Sequence, residues 1–227
     1  MNAKFKLLIT LIWGAYFFAG CNNGSDTTII KDTDSAKMKN TKYVTIADKL
    51  NTDKMKSDDS ILYAMNKMMM KMRNMKLSGD VDIDFANTMI DHHQGAIDMS
   101  LQEIKSGTDA GIKKIAKEIV RNQMDEQSKF GNIVKDTRPI KTDMEKDDEL
   151  YEEMAELKSN INAIKMTQNI DKDYVNLIIQ HHKSEIEMAK SEVSRGMNDQ
   201  LKKMSQKIIS YQIKEINLFK NWLSVSK

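Results

Sequence analysis

Cysteine, proline and histidine are scarce in this chain of 227 residues. There is one cysteine, Cys21, and one proline, Pro139. A single cysteine excludes an intramolecular disulfide and a cluster of thiolate metal ligands. One proline, nine glycines and few strand-like patterns are typical of a helical protein, and 40% apolar residues are enough for a packed core.

A strong excess of charge of either sign is also missing. The formal net charge is +2, and Lys4 and Lys6 near the N-terminus account for it. In the rest of the chain basic and acidic residues balance and alternate, which is typical of solvated helix faces. The sequence therefore predicts no basic surface for nucleic acid and no nucleic-acid partner.

Residues 1–20 resemble a bacterial lipoprotein signal peptide. Two lysines precede the apolar run Leu7 to Phe18, and two small residues stand directly before Cys21. We expect Cys21 to be lipidated and to anchor the chain to a membrane of the bacterial cell envelope, facing the periplasm or at the outer membrane. A plain signal peptide or an uncleaved anchor is the alternative. Residues 21–59 are polar and predict a flexible tether.

An internal duplication with an offset of 89 residues organises the rest of the chain. Helical periodicity predicts three helices in each copy. Their predicted ranges are 61–76, 84–105 and 110–135 in the first copy, and 150–165, 173–195 and 199–224 in the second.

The duplication also predicts the domain organisation. We expect a first helical repeat at 60–136, a linker at 137–148 and a second helical repeat at 149–227, with 60–225 as one folded unit. Gly107 and Gly196 fit the ends of the second helices, and Asp109 and Asn198 fit the N-caps that follow. The expected fold is all-α, a pseudo-twofold four-helix bundle of the second and third helices of both repeats, with the first helices flanking it.

All four histidines lie in two adjacent pairs at equivalent positions of the repeats. Each pair is followed by a methionine seven residues after its first histidine, and residues seven apart on a helix differ by only about 20° around its axis. Each histidine and methionine therefore share a face that should point inward. The candidate metal ligands are His92, His93, Met99, His181, His182 and Met188. In the alternative interpretation, each imidazole hydrogen-bonds to a buried carboxylate or carbonyl without a metal.

Acidic residues on or near the same faces are candidates for orienting the imidazole N–H groups. They are Glu103, Glu126, Glu192 and Glu215, together with Glu185, which lies four residues after His181 and three after His182.

The eighteen methionines suggest soft-metal ligands, but the repeat supplies an internal comparison. Met65, Met68, Met72 and Met75 occupy positions that are apolar in both copies, so we expect a core stripe. Met69 and Met70 pair with Lys158 and Ser159, which should face solvent. These two, together with Met89, are the candidate accessory soft ligands.

The ligand types indicate which metal would bind. Imidazole with thioether and without thiolate suits Cu(I), Ag(I) or Cu(II), with Cu(I) preferred and Zn(II) as a further alternative. Such binding should weaken below about pH 6, because imidazole must be neutral to bind a metal. The residues three before His92 and His181 are Met89 and Ile178 rather than glutamate, which disfavours a di-iron site. No nucleophile signature is present, and we predict that the chain is not an enzyme.

The pattern from Asp82 to Met99, which includes His-His-x-x-Ala-Ile-x-Met, and the downstream motif Ile119-x-x-x-Gln123-x-x-Glu126 resemble the domain-of-unknown-function 305 family. The resemblance covers about residues 60–225, in two tandem copies. It implies a ferritin-like helical bundle, a secreted or periplasmic location and, as in some members, copper binding. The second copy departs from the pattern at Tyr174, Ile178 and Glu185.

We therefore expect a lipid-anchored envelope protein that binds Cu(I) or Ag(I) for buffering, tolerance or transfer. Its expected partners are the membrane, the metal ion and an envelope metal-handling protein, and an oligomer is compatible with the sequence. One alternative is a non-metal helical interaction module of the envelope, and another is a ferritin-like redox enzyme.

Overall fold

The computed structural model describes residues 59–138 and 148–226. Within these ranges the chain forms six α-helices and no β-strand. The helices are α1 (Asp59–Arg73), α2 (Val81–Ser106), α3 (Ala110–Asp136), α4 (Asp148–Asn162), α5 (Ile170–Arg195) and α6 (Asp199–Val225). The predicted all-α class is confirmed, and each helix of the first repeat recurs 89 residues later. The predicted signal peptide, Cys21, nearly all of the tether and most of the linker lie outside the described residues.

The two long central helices, α2 and α5, pack against each other. Helix α3 packs on α2, and α6 packs on α5, as antiparallel partners joined by short loops. Helix α1 packs on α2 and α5, and α4 packs on α5 and α1. The second and third helices of both repeats thus form the expected bundle, and the first helices flank it. None of the described helices has an apolar stretch long enough to cross a bilayer.

Reciprocal contacts relate the two repeats by a pseudo-twofold axis. The Asp171 carboxylate accepts hydrogen bonds from the backbone N–H groups of Thr108 and Asp109, each at 2.9 Å. The equivalent Asp82 carboxylate accepts from the N–H groups of Met197 and Asn198. Two further contacts join a residue to its own equivalent, namely His92 with His181 and Asn122 with Tyr211. Residues that touch their own equivalents must lie near the axis.

Helix α2 begins at Val81, three residues before the predicted start at Asp84. Asp80 is the N-cap, and its carboxylate accepts from the Ile83 N–H at 3.0 Å. The Asp84 carboxylate instead reaches back to the N–H groups of Ser78 and Gly79. Gly79 has a φ of 84°, a left-handed conformation that favours glycine. The predicted start is three residues too far along the chain, because an acidic residue in the first turn is as typical of a helix start as the N-cap itself.

The predicted caps between α2 and α3 and between α5 and α6 are confirmed. Asp109 and Asn198 each accept two backbone N–H groups at the start of the following helix. Gly107 and Gly196 end the preceding helices in an extended conformation rather than a left-handed one. Here glycine is needed for space, because a Cβ atom would overlap the carboxylate of Glu103 at Gly107 and that of Glu192 at Gly196.

The methionines of α1 are mainly core residues, as the repeat comparison predicts. Met65, Met68 and Met72 are at most 3% exposed, and Leu157 and Ile161 are buried at the equivalent positions of α4. Met89 is fully buried in the same core. Among the candidate accessory ligands, Met69 is partly buried against the core and Met70 is 58% exposed.

Candidate metal centre

All four histidines are fully buried where α2 packs against α5. The rings of His92 and His181 lie against each other, with centroids 3.8 Å apart and planes inclined by 41°. These two residues form the inner pair, close to the pseudo-twofold axis. His93 and His182 form the outer pair, each directed toward the third helix of its own repeat.

The inner pair breaks the symmetry of the repeats. His181 donates from Nε2 to the backbone carbonyl of His92 at 2.9 Å, which leaves its Nδ1 without a proton in the neutral ring. His92 makes no reciprocal bond, and neither of its buried ring nitrogens has a hydrogen-bond partner. Burial, followed by the charge of the neighbouring histidines, lowers the pKa of both residues. Both imidazoles are therefore neutral, the state that binds metal.

The outer pair keeps the symmetry. Nε2 of His93 donates to Oε2 of Glu126 on α3 at 3.0 Å. Nε2 of His182 lies 2.9 Å from Oε2 of Glu215 on α6, although its N–H is not aligned for a good hydrogen bond. Glu126 and Glu215 thus lie beside imidazoles, as their helix faces predict.

Glu185 lies at the centre of the cluster and is fully buried. Its Oε1 is 3.7 Å from Nε2 of His93, and its Oε2 is 3.8 Å from Nδ1 of His181 and 3.9 Å from Nδ1 of His182. Burial raises the pKa of this carboxyl, and the neighbouring His93 and His182 oppose that shift. The equivalent residue in the first repeat is Ala96. A single carboxylate therefore lies near histidines of both repeats.

Two glutamines, one from each repeat, position the Glu185 carboxylate. Gln123 on α3 donates to both of its oxygens at 3.2 Å, and Gln212 on α6 donates to Oε2 at 2.8 Å. Gln123 belongs to the family motif, but the sequence pattern predicts no role for either glutamine. Their identity at the 89-residue offset, three residues before Glu126 and Glu215, was the available signal.

Two sets of ligand atoms converge within 4.8 Å in the described residues. One is His92, His181 and Glu185, and the other is His93, Glu126 and Glu185. Donors bound to one ion at about 2.0–2.2 Å lie no more than about 4.4 Å apart, so side chains at these separations need only small movements to close on a metal.

Glu103 and Glu192 lie away from the histidines. Each is at the C-terminal end of its helix, three turns beyond the first histidine, and stands beside a carboxylate of the other repeat. Burial, with the hydrogen bond and charge of Asp171, raises the pKa of Glu103 to about 8. Burial, with the charge of Asp82, raises the pKa of Glu192 to about 9. Both pairs thus join the repeats at their ends rather than orienting an imidazole.

Met99 and Met188 are buried in the apolar core. Each shares a helix face with the first histidine of its pair, as predicted, but stands two turns, or about 10 Å, further along the helix. Donors to one ion must come within about 4.4 Å of each other. Their role as ligands stays a prediction. It would require each methionine side chain and the histidine of the same pair to move toward each other along the helix.

The sequence pattern described as "Domain of unknown function (DUF305)" matches residues 28–134 and 135–223. These two matches together span most of the chain. The protein therefore belongs to the DUF305 family and carries two tandem copies of its domain. No curated protein matches the chain.

Several solved structures match part of this chain. A DUF305 protein from Streptomyces coelicolor is 24% identical, with a TM-score of 0.50 over 65% of this chain and 93% of that one. CopM in its Cu(I)-bound form is 25% identical, with a TM-score of 0.49 over 63% of this chain and 95% of that one. CopM in an Ag-bound form obtained by soaking is 26% identical, with a TM-score of 0.49 over 63% and 94%. The likeness to the Streptomyces protein shows the helical-bundle fold.

Proposed function

We propose that this protein binds a transition-metal ion in the buried His/Glu cluster between α2 and α5. The observation that carries the proposal is His92, a fully buried imidazole with two ring nitrogens that have no hydrogen-bond partner. Leaving such a group unsatisfied costs about 1–3 kcal/mol. A metal bound by His92, His181 and Glu185 would remove that cost.

The donor set favours a divalent ion of intermediate softness. Imidazole and carboxylate suit Cu(II) or Zn(II), whereas Cu(I) and Ag(I) prefer thioether or thiolate sulfur. Copper stays the leading metal, with Cu(II) as the bound form, because Cu(II) generally binds a given set of nitrogen and oxygen donors more tightly than Zn(II) does. Binding of Cu(I) or Ag(I) through Met99 and Met188 is the alternative, and an anaerobic titration with Cu(I) would reveal it.

The burial of the cluster supports a role in holding metal as cargo. All four histidines and Glu185 are fully buried, so a bound ion would be screened from bulk water and from reactants. We propose metal buffering, tolerance or transfer at the cell envelope. The envelope location depends on the predicted leader and on lipidation of Cys21.

The test is metal binding by the full chain, compared with His92→Phe. Phenylalanine keeps an aromatic ring against His181 and removes both nitrogens. We expect wild type to retain Cu(II) or Zn(II) after dialysis, and His92→Phe to lose more than about 100-fold in affinity, beyond the loss typical of outer-sphere changes. Glu187→Gln, which changes an exposed carboxylate on α5, is the control and should bind like wild type. Equal affinity in wild type and His92→Phe would contradict the site.

A polar core network without metal is the second candidate. It is favoured by the outer pair, because His93 and Glu126 already satisfy each other by a hydrogen bond. In that case no metal would be retained, and His92→Phe would raise the free energy of unfolding by removing an unsatisfied buried group.

A further inference from the structure

The Glu185 carboxylate presents a different oxygen to each of two imidazoles. Oε1 faces Nε2 of His93 at 3.7 Å, and Oε2 faces Nδ1 of His181 at 3.8 Å. Resting on the proposed function, we infer that the cluster binds two metal ions bridged by Glu185. The inner centre consists of His92, His181 and Glu185, and the outer centre consists of His93, Glu126 and Glu185.

The separations fit a shared carboxylate. In the outer centre, His93 Nε2 is 3.0 Å from Glu126 and 3.7 Å from Glu185, within the roughly 4.4 Å allowed for donors to one ion. The inner centre has a similar separation between His181 and Glu185. Ions held by the two oxygens of one carboxylate would lie about 3.5–4 Å apart, the spacing usual in two-metal sites.

The hydrogen bonds to Glu185 leave room for this bridge. A carboxylate offers about four lone-pair positions on its two oxygens. Gln123 contacts both oxygens and Gln212 contacts Oε2, so an ion at Oε2 requires the Gln123 amide to bind Oε1 alone. Each oxygen then accepts one N–H group and binds one ion. The amides of Gln123 and Gln212 approach from α3 and α6 and hold the group between the two histidines. Ligating carboxylates are themselves usually hydrogen-bonded in this way, which fixes their orientation before metal arrives.

The pseudo-equivalent of the outer centre lacks its third donor. At His182 the two ring nitrogens face different carboxylates, with Nδ1 toward Glu185 and Nε2 toward Glu215. Because these nitrogens lie on opposite sides of the ring, one ion cannot join His182 to both carboxylates. The residue that would complete a second outer centre is Ala96, which has no donor atom. The cluster therefore holds two ions rather than three.

The two outer histidines also differ in how far their carboxylate partners are exposed to solvent. The side chain of Glu126 is 25% exposed, whereas that of Glu215 is 7% exposed. The outer centre thus has a carboxylate that reaches water and can receive an arriving ion, and the inner centre lies behind it.

The inference is tested by counting Cu(II) ions in the full chain and recording their electron paramagnetic resonance. Two Cu(II) ions joined by a carboxylate couple their spins, so wild type should bind two equivalents and give a signal well below that of two isolated ions. Glu126→Gln should bind one equivalent with a full mononuclear signal. Glu215→Gln, at the equivalent position but outside both centres, should keep two coupled ions, and so should the exposed control Glu187→Gln.

The outcomes separate this inference from the proposed function. One equivalent with a full signal in wild type would leave the metal site in place and overturn the bridge. Three equivalents, with the loss of one in Glu215→Gln, would overturn the asymmetry. No bound metal at all would overturn the proposed function itself. A thermal unfolding curve shows whether Glu126→Gln folds. If it does not fold, the wild-type stoichiometry and spectrum still show whether two ions are coupled.

Discussion

At the scale of single residues, Tyr174 and Ser100 form a hydrogen-bonded pair that the equivalent positions of the other repeat cannot form. The Tyr174 hydroxyl, fully buried on α5, hydrogen-bonds to Ser100 on α2 at 2.8 Å. The equivalent positions of the other half hold Phe85 and Ala189, which carry no hydroxyl. The donor and its partner are thus both present on one side of the axis and both absent on the other. The sequence alone shows each substitution but not that the two residues touch.

This pair predicts a coupled effect on stability. Tyr174→Phe should lower the free energy of unfolding by about 1 kcal/mol, because the buried Ser100 hydroxyl loses its partner. Ser100→Ala should have a similar cost. The double variant reproduces the Phe85 and Ala189 combination and should cost at least about 0.5 kcal/mol less than the sum. Urea unfolding of the three variants measures this coupling.

Tyr211→Phe provides the matched control. Tyr211 also hydrogen-bonds across the axis, to Asn122 at 2.8 Å, but its side chain is 41% exposed. Its loss should therefore change stability by no more than about 0.5 kcal/mol. Strictly additive effects of Tyr174→Phe and Ser100→Ala would contradict the proposed coupling.

At the scale of helices, the carboxyl pairs at the ends of α2 and α5 make the packing of the repeats sensitive to alkaline pH. Glu103 beside Asp171 and Glu192 beside Asp82 are buried, and neither glutamate has a hydrogen-bond donor from another group. Each pair is therefore stable only while it holds a proton. The cations Lys113, Lys202 and Arg195 oppose the raised pKa values but do not reverse them, and Asp109 adds to the shift at Glu103.

The sign of the pH dependence follows from these raised pKa values. Between the ordinary value near 4.5 and the folded values of about 8 and about 9, the folded state holds protons that the unfolded state has released. Above about pH 6.5, where His92 and His181 are neutral in both the folded and the unfolded state, stability should therefore fall by at least on the order of 1 kcal/mol by pH 9. Urea unfolding at a series of pH values, without metal, measures the decline.

Glutamine at these positions should flatten the decline. Glu103→Gln and Glu192→Gln stay neutral at every pH, and the amide can donate to the neighbouring aspartate. The exposed Glu187→Gln should keep the wild-type slope. If the double glutamine variant loses stability toward pH 9 as steeply as wild type, these pairs are not its source.

The same helices show where sequence reasoning succeeds and where it stops. Periodicity and the 89-residue offset predict six helices, their caps, the core role of Met65 and Met68, and the inward direction of the histidines. A helical pattern gives the angle of a side chain around its axis, but not which residue of another helix stands at the same height. The sequence therefore predicts Glu103 near an imidazole, whereas the structure places it beside Asp171. The central position of Glu185 also depends on a contact between repeats that no local pattern encodes.

At the scale of the whole molecule, a bound metal ion should stabilise the packing of the two repeats against each other. The proposed ligands come from α2, α3 and α5, so an ion bound there stabilises only the assembled bundle. Saturation at 100 times the dissociation constant should raise the free energy of unfolding by about 2.7 kcal/mol. Thermal unfolding with and without Cu(II) measures this gain, which should be smaller in His92→Phe because the inner centre is lost. A gain of equal size in that variant would show that the metal acts elsewhere.

The single carboxylate at the pseudo-twofold axis has a consequence for how such a protein is encoded. A homodimer of one-repeat chains must place either two glutamates or two alanines at this position, because both subunits come from one gene. Two buried carboxylates facing each other would repel, and two alanines would leave the inner histidines, His92 and His181, without a carboxylate. Joining the repeats in one chain frees each copy to change alone. An odd number of charges can then occupy a place where strict symmetry permits only an even one.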